Sequence, residues 1–353
     1  MKLFRKLLSF TLILFIITIE FPHYSFATSN INTRKPVRVG FLLYSFEDSF
    51  LSKVRQDLEN IQKENENKIE FTFFDGKANP AIEYQIIDNI IQDNFDLLIV
   101  NMLIKTKDEL NDIISKVKTK NIPIIFFNAP VPDTNIINVY PKAALMSIDS
   151  KEIATLQGKI LVDIWNTNKK VIDKNNDNIM QYVMIQGRPG SDLTITRTKY
   201  SVEAINKAGI ETQQLSSIVA NWNKELVLST LSPLFLRYGS KIEAIISNND
   251  VMAIGAIEAL QKYGYNSGDP SKNIVVVGID GLQEAIDLIK KGYMTGTVIQ
   301  DSRIISDAIY AVSMNLVSGA NPIKDTNLKI TDNIIYIHQA YKPYTINSIE
   351  NVE

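Results

Sequence analysis

The sequence predicts an α/β fold of two doubly wound, parallel-sheet (Rossmann-like) lobes. Short apolar runs alternate with amphipathic stretches from Val37 onward, and the alternation repeats in the second half of the chain. At 353 residues, the chain also exceeds the size at which one hydrophobic core usually stops growing. Such alternation is the pattern of parallel strands buried on both faces by crossover helices.

Taken in order, Val37 to Leu43, Ile69 to Phe74, Leu97 to Val100 and Ile122 to Phe127 are apolar runs of strand length. Phe50 to Gln62, Ala81 to Gln92 and Lys107 to Lys118 lie between them with helical spacing. The second set of strands is predicted at Met180 to Ile185, Ile242 to Ser247, Ile274 to Ile279 and Thr297 to Ile299. Helices are predicted at Ile153 to Asn166, Thr194 to Ala208, Lys224 to Phe235, Ala253 to Tyr263 and Leu282 to Lys290. Ser302 to Leu316 is a further helix, followed by a strand near Ile334 to Ile337. Two sheets account for this number of strands better than one very wide sheet.

The hydrophobic content of 45% and charged content of 22% are those of an ordinary globular protein. A net charge of -2 gives no footprint for nucleic acid or an anionic membrane. Residues 1–27 differ in kind: Lys2, Arg5 and Lys6 precede an apolar run from Leu7 to Ile19, and Ser25-Phe26-Ala27 supplies small residues for cleavage. This is the pattern of an export signal, and the run falls short of the roughly 20 residues that span a bilayer. Retention as an anchor is the alternative. No later segment is long and apolar enough to span. The chain has no cysteine, which removes disulfides, thiolate metal sites, a cysteine nucleophile and a lipid anchor on an N-terminal cysteine. The expected location is the periplasm or the outer side of the cytoplasmic membrane, with the chain a monomer.

Candidate ligand residues fall at or just past predicted strand ends, where ligands sit in doubly wound sheets. They are Asp48, Asn101, Arg197, Asn249 and Asp280, with Phe50 and Trp222 on separate loops. Aromatic faces remove the C–H faces of a sugar ring from water, and carboxylates, amides and guanidinium complement its hydroxyls. Each loop Asp has a second reading as a helix cap: Asp48, Asp250 and Asp280 all stand near predicted helix starts. Trp222 has a second reading as core, though its setting in Ala220-Asn-Trp-Asn223 at a helix start favours exposure to a cleft, and Arg197 has one as a solvated helix face.

The stretch Val37-Arg-Val-Gly-Phe-Leu-Leu-Tyr-Ser-Phe-Glu-Asp-Ser-Phe50 resembles the first strand and loop of the periplasmic galactose/glucose-binding proteins. So do Asn101, Gly187-Arg-Pro-Gly190 with Arg197, Trp222, Ile246-Ser-Asn-Asn-Asp250, Gly278-Ile-Asp280 and Gly296-Thr-Val298, in that order. The resemblance, from about Val37 to Lys329, implies the type I periplasmic binding fold with a three-strand hinge. It places one lobe at 36–122 plus 301–337 and the other at 123–300 plus 338–353. It also implies closure on a monosaccharide and delivery to an ABC-transporter permease.

Where that family has His and Asp at one end of the sugar, this chain has Ser191 and Leu193, with Asp192 between them. On a helix start, one residue turns direction by about 100°. Gln300 stands where the family has Asn. These departures leave the sugar open: a hexose such as galactose or glucose, another hexose, a pentose or a substituted sugar.

Asp173, Asn175, Asp177, Ile179 (by its carbonyl) and Gln181 match positions 1, 3, 5, 7 and 9 of an EF-hand type loop. Met184 at position 12 excludes a true EF-hand. The resemblance implies a bidentate Glu from a distant strand, and Glu243 occupies the matching place. A structural Ca²⁺ is expected; an Asn/Asp-rich turn is the alternative. Three outputs stand side by side: delivery to an ABC transporter, signalling to a membrane receptor or sensor kinase, and a glycosidase using the same carboxylates. The last lacks a clear acid/base pair.

Overall fold

The computed structural model describes residues 35–350, and the chain from Pro36 onward packs as one unit. The expected signal segment lies outside the described residues. No helix among the described residues is long and apolar enough to cross a membrane.

The first half of the chain runs β1 (Val37–Leu43), α1 (Ser49–Glu64), β2 (Ile69–Asp75), α2 (Pro80–Gln92), β3 (Leu97–Asn101), α3 (Lys107–Thr119), β4 (Ile124–Phe127), α4 (Ile136–Val139) and β5 (Ala143–Ile148). The second runs α5 (Ser150–Ile172), β6 (Ile179–Gln186), α6 (Asp192–Lys207), β7 (Glu211–Val219), α7 (Lys224–Tyr238), β8 (Ala244–Ser247), α8 (Asp250–Gln261), β9 (Val275–Val277), α9 (Gln283–Lys290) and β10 (Gly296–Ile299). After these come α10 (Ser302–Val317), β11 (Lys329–Thr331), β12 (Ile334–Ile337), β13 (Lys342–Thr345) and α11 (Asn347–Glu350).

Two sheets result, ordered β11-β12-β5-β4-β3-β1-β2 and β13-β10-β9-β8-β6-β7. The central strands pair in parallel, as with Phe41 opposite Phe73 on one side and Ile99 on the other. Every residue of β3 is buried, as a strand covered on both faces must be. Helix α1 buries Phe50, Leu51, Val54, Leu58 and Ile61, a 3–4 spacing that makes one apolar stripe. It packs with α10 against the first sheet, while α2 and α3 cover the other face. In the second lobe α5 and α6 pack together on one face and α7 and α8 on the other. Gly255 allows α8 to approach α7 closely: a Cβ there would stand 2.8 Å from the Lys224 carbonyl oxygen.

The structure moves the first lobe boundary. Strands β4 and β5 lie in the seven-stranded sheet, so residues 123–148, expected in the second lobe, belong with the first. The cause is β5, Ala-Ala-Leu-Met-Ser-Ile, a run that sequence reading passed over and that closes the sheet between β4 and β12. The chain then crosses between sheets three times: between β5 and α5, between β10 and α10, and between β12 and β13. Direct bonds tie these crossings together. Asp149 faces His338 (Oδ2 to Nδ1, 3.3 Å), and the Asp301 backbone N–H donates to Gln339 Oε1 at 2.7 Å.

Candidate functional site

Parallel registers bring the carboxyl ends of the strands to one cleft. Leu43 pairs with Asn101 in the first sheet, and Ile185 with Ser247 in the second. The loops that follow these positions therefore face each other across the space between the lobes. Asp48, Phe50, Asn101, Ser191, Arg197, Trp222, Asn249 and Asp280 all line this one pocket.

Phe50 is the second residue of α1 and only 8% exposed. Trp222 comes from the opposite lobe, on the turn between β7 and α7. Asn221 and Trp222 both have positive φ, 52° and 67°, a conformation that is uncommon for a bulky residue and holds the indole in place. Gly187 completes the seat, since a Cβ at that position would overlap the Trp222 ring. The two rings thus reach a shared crevice from different lobes.

Asp48 serves two purposes. Its Oδ1 accepts the Leu51 N–H at 2.8 Å as the cap of α1, and its Oδ2 accepts the Tyr44 hydroxyl at 2.6 Å. Asn249 caps α8 through Oδ1, which accepts the Met252 N–H. Asp250 does not cap that helix as expected: its carboxyl accepts the Leu282 N–H and the Thr297 hydroxyl instead. Nor is Asp280 a cap. Its Oδ1 accepts Gln300 Nε2 at 2.6 Å and stands 3.5 Å from Arg197 Nη1.

The Arg197–Asp280 pair is almost fully buried, at 4% and 3% exposure. Burial pushes the Asp280 carboxyl up, and the Arg197 guanidinium opposes this by favouring the charged form. Arg197 Nη1 donates to the Asn248 carbonyl at 2.7 Å, while its Nε has no partner. Asn101 donates to the Phe127 carbonyl, and its Oδ1 is likewise buried and unpaired. An unpaired donor and an unpaired acceptor in one cleft suit hydroxyl groups, which give and accept a hydrogen bond each. Ser191 adds a hydroxyl at the start of α6 that makes no cap bond.

Two expected contacts fall elsewhere. Gln300 lies behind Asp280 and orients it, outside the pocket lining. Asp192, one residue past Ser191 on α6, lines a neighbouring crevice while Ser191 and Leu193 line the pocket. Sequence reading misses Tyr44, Leu51, Met102, Leu103, Asn128, Pro130, Ile148 and Arg188, which complete the walls. In the sequence Tyr44 and Arg188 stand only as parts of longer motifs. Their pairing, with the Arg188 guanidinium 4.9 Å over the Tyr44 ring, depends on a lobe-to-lobe approach that no local spacing encodes.

Five of the six residues expected to hold a cation lie along 173–181 in the second lobe, and the sixth, Glu243, meets them from another part of the chain. Asp173 accepts the N–H groups of Asp177 and Asn178; Asp177 accepts side-chain bonds from Asn175 and Gln181 and the Ile179 N–H. Glu243 reaches in from just before β8, and its two oxygens accept the N–H groups of Lys174 and Gln181. Burial pushes the Glu243 carboxyl up, the two backbone bonds oppose this, and Asp173 and Asp177 add to the rise. Gln181 Oε1 is buried without a partner. Among the described residues no three His, Cys, Asp or Glu side chains group as metal ligands.

A family model described as a periplasmic binding protein domain matches residues 39–321. The D-galactose/methyl-galactoside binding periplasmic protein of Haemophilus influenzae is 31% identical over 314 residues, 89% of each chain. Among solved structures, the chain resembles a D-allose-bound periplasmic solute binding protein of an ABC transporter from Actinobacillus succinogenes. That match has a TM-score of 0.70 at 20% identity, covering 90% of this chain and all of that one. It also shares its fold with the fructose-binding periplasmic domain of a hybrid two-component system, at a TM-score of 0.68 and 18% identity, over 89% and 92% of the two chains.

Proposed function

The chain belongs to the periplasmic binding protein family, and from that premise we propose that it is an exported protein that closes on a sugar, with a hexose such as galactose or glucose as the core ligand, and delivers it to an ABC-transporter permease. One observation carries the reading: Phe50 and Trp222, from opposite lobes, line the same pocket as Asp48, Asn101, Arg197, Asn249 and Asp280. The Haemophilus relative's ligand supports a galactose-type ring. Ligand in the cleft favours the closed arrangement of the lobes, and that form is what a membrane partner distinguishes. The homologues are binding proteins, and the chain is not an enzyme. The test is a thermal-shift and calorimetric screen against D-galactose, D-glucose, D-allose, D-xylose and D-ribose. Saturable binding of at least one, abolished by Asp280→Asn combined with Trp222→Ala, is expected; no binding by any sugar of the panel refutes the reading.

A sensor output is the second reading. It is favoured by the shared fold with a two-component periplasmic domain. Ligand-dependent capture of a sensor ectodomain in place of a permease separates the two.

We further propose that the loop 173–181 with Glu243 holds a structural Ca²⁺. Its support is the loop pattern at positions 1, 3, 5, 7 and 9, Glu243 reaching that loop from just before β8, and the unpaired Gln181 Oε1. A hard cation takes six to eight such oxygens. It would offset the charge of Asp173, Asp177 and Glu243 and pin the loop between α5 and β6.

A further inference from the structure

The sugar pocket shares part of its wall with a second space. This crevice adjoins it, and Asn128, Pro130, Ile148 and Leu193 wall both spaces. Three of the four shared walls, Pro130, Ile148 and Leu193, are apolar. A ring hydroxyl directed at this end would exchange water for groups that cannot hydrogen-bond it, which is unfavourable. A glycosidic oxygen flanked by C–H groups suits such a wall better.

Beyond the apolar collar, hydrogen-bonding groups resume. Asp149 and Lys151 come from the start of α5, Asp192 from α6, and Tyr336 and His338 from the end of β12. Tyr336 presents a half-buried ring near that of His338, 6.3 Å between centroids. Asp192 has no hydrogen-bond or ion-pair partner among the described residues; burial pushes the Tyr336 phenol up, and the charge of Asp192 adds to the rise. Carboxylates, cations and an aromatic face are the types that the first pocket uses to hold a hydroxylated ring.

We propose that the crevice is a second subsite, and that the ligand is a two-unit glycoside: one ring between Phe50 and Trp222, and a second hydroxylated unit beside Tyr336 and Asp192, linked past Leu193. The inference rests on the sugar-binding reading. It adds a ligand class, a disaccharide or a comparable glycoside, and names the residues of this chain that select it.

The experiment is calorimetry on the full mature chain with D-galactose and D-glucose, then with melibiose, lactose, maltose, cellobiose and trehalose. At least one disaccharide is expected to bind no more weakly than its parent monosaccharide. Thr196 lines the crevice and not the pocket, so Thr196→Trp fills the second subsite alone. It is expected to weaken that disaccharide at least ten-fold and to leave the monosaccharide within about two-fold. Asp192→Ala, at an exposed position that tolerates truncation, is expected to weaken the disaccharide about ten-fold, the loss of one charge-assisted bond. If monosaccharides bind while every disaccharide binds a hundred-fold more weakly or not at all, the subsite is overturned and sugar binding stands. Equal loss of mono- and disaccharide in both variants also overturns it. If no sugar of either size binds, both readings fall.

Discussion

At Trp222 the backbone, the ring and a glycine of another loop form one device. The indole occupies the space that a Cβ at Gly187 would need, so the two positions predict one another. Trp222→Ala removes a stacking face and is expected to weaken the best sugar by more than about 1 kcal/mol, read by calorimetry. Gly187→Ala keeps the indole but displaces it, and is expected to weaken binding by at least about ten-fold. Unchanged affinity in Gly187→Ala would show that the ring position is irrelevant to the ligand. Much of this scale was legible in the sequence. Residue type and strand-end position marked Phe50, Trp222, Arg197 and Asp280, because their chemistry is conspicuous wherever it occurs. The apolar walls Met102, Leu103 and Ile148 carried no such mark, since the same residues fill any core. Asp192 points elsewhere for a geometric reason: at a helix start, successive residues diverge by about 100°, so Ser191 and Leu193 line the pocket while Asp192 lines the crevice.

At the scale of elements, the clearest test lies in the loop between α5 and β6. Asn176 and Asn178 have φ of 57° and 65°, the left-handed conformation that asparagine tolerates and a cation-wrapping loop needs. Chelator-treated protein is expected to melt lower and to regain stability on Ca²⁺ addition, by about 2.7 kcal/mol when Ca²⁺ exceeds its Kd a hundred-fold. Glu243→Gln is expected to abolish the Ca²⁺-dependent rise while leaving sugar binding in place. A chelator-insensitive Tm would assign the loop to hydrogen bonding alone. The long central strands of both lobes were legible because burial on both faces leaves continuous apolar runs. Strand β7 was not: Glu-Thr-Gln-Gln-Leu-Ser-Ser-Ile-Val is mostly exposed at a sheet edge, and so reads as polar loop. Strand β13 escaped for a similar reason, being a short, partly exposed edge strand containing Pro343.

The molecule as a whole couples its lobes through groups that are costly to leave charged. Glu83, on α2 of the first lobe, is fully buried, and neither of its oxygens has a partner. Burial pushes its carboxyl up to about 7, and Arg188 of the second lobe opposes that rise only in part. Arg188 also stacks on Tyr44, beside Glu83 across Gly76, where a Cβ would meet the Glu83 Cγ at 2.8 Å. A raised folded-state pKa in an acid means that the native state holds its proton after the unfolded chain has released it. Stability from this group is therefore unaffected below about pH 4.5 and falls as pH rises from there to about 7. The full loss is at most about 3 kcal/mol. A neutral amide at this position removes the titration, so Glu83→Gln is expected to flatten the fall in Tm across that interval. Arg188→Ala removes the opposing cation and is expected to steepen it. The same Arg188→Ala variant loses the contact between lobes, and its ligand-free radius of gyration in X-ray scattering is expected to exceed that of the wild type. Parallel pH profiles for all three proteins would place the titration elsewhere and leave Arg188 as a wall of the pocket with no part in closure.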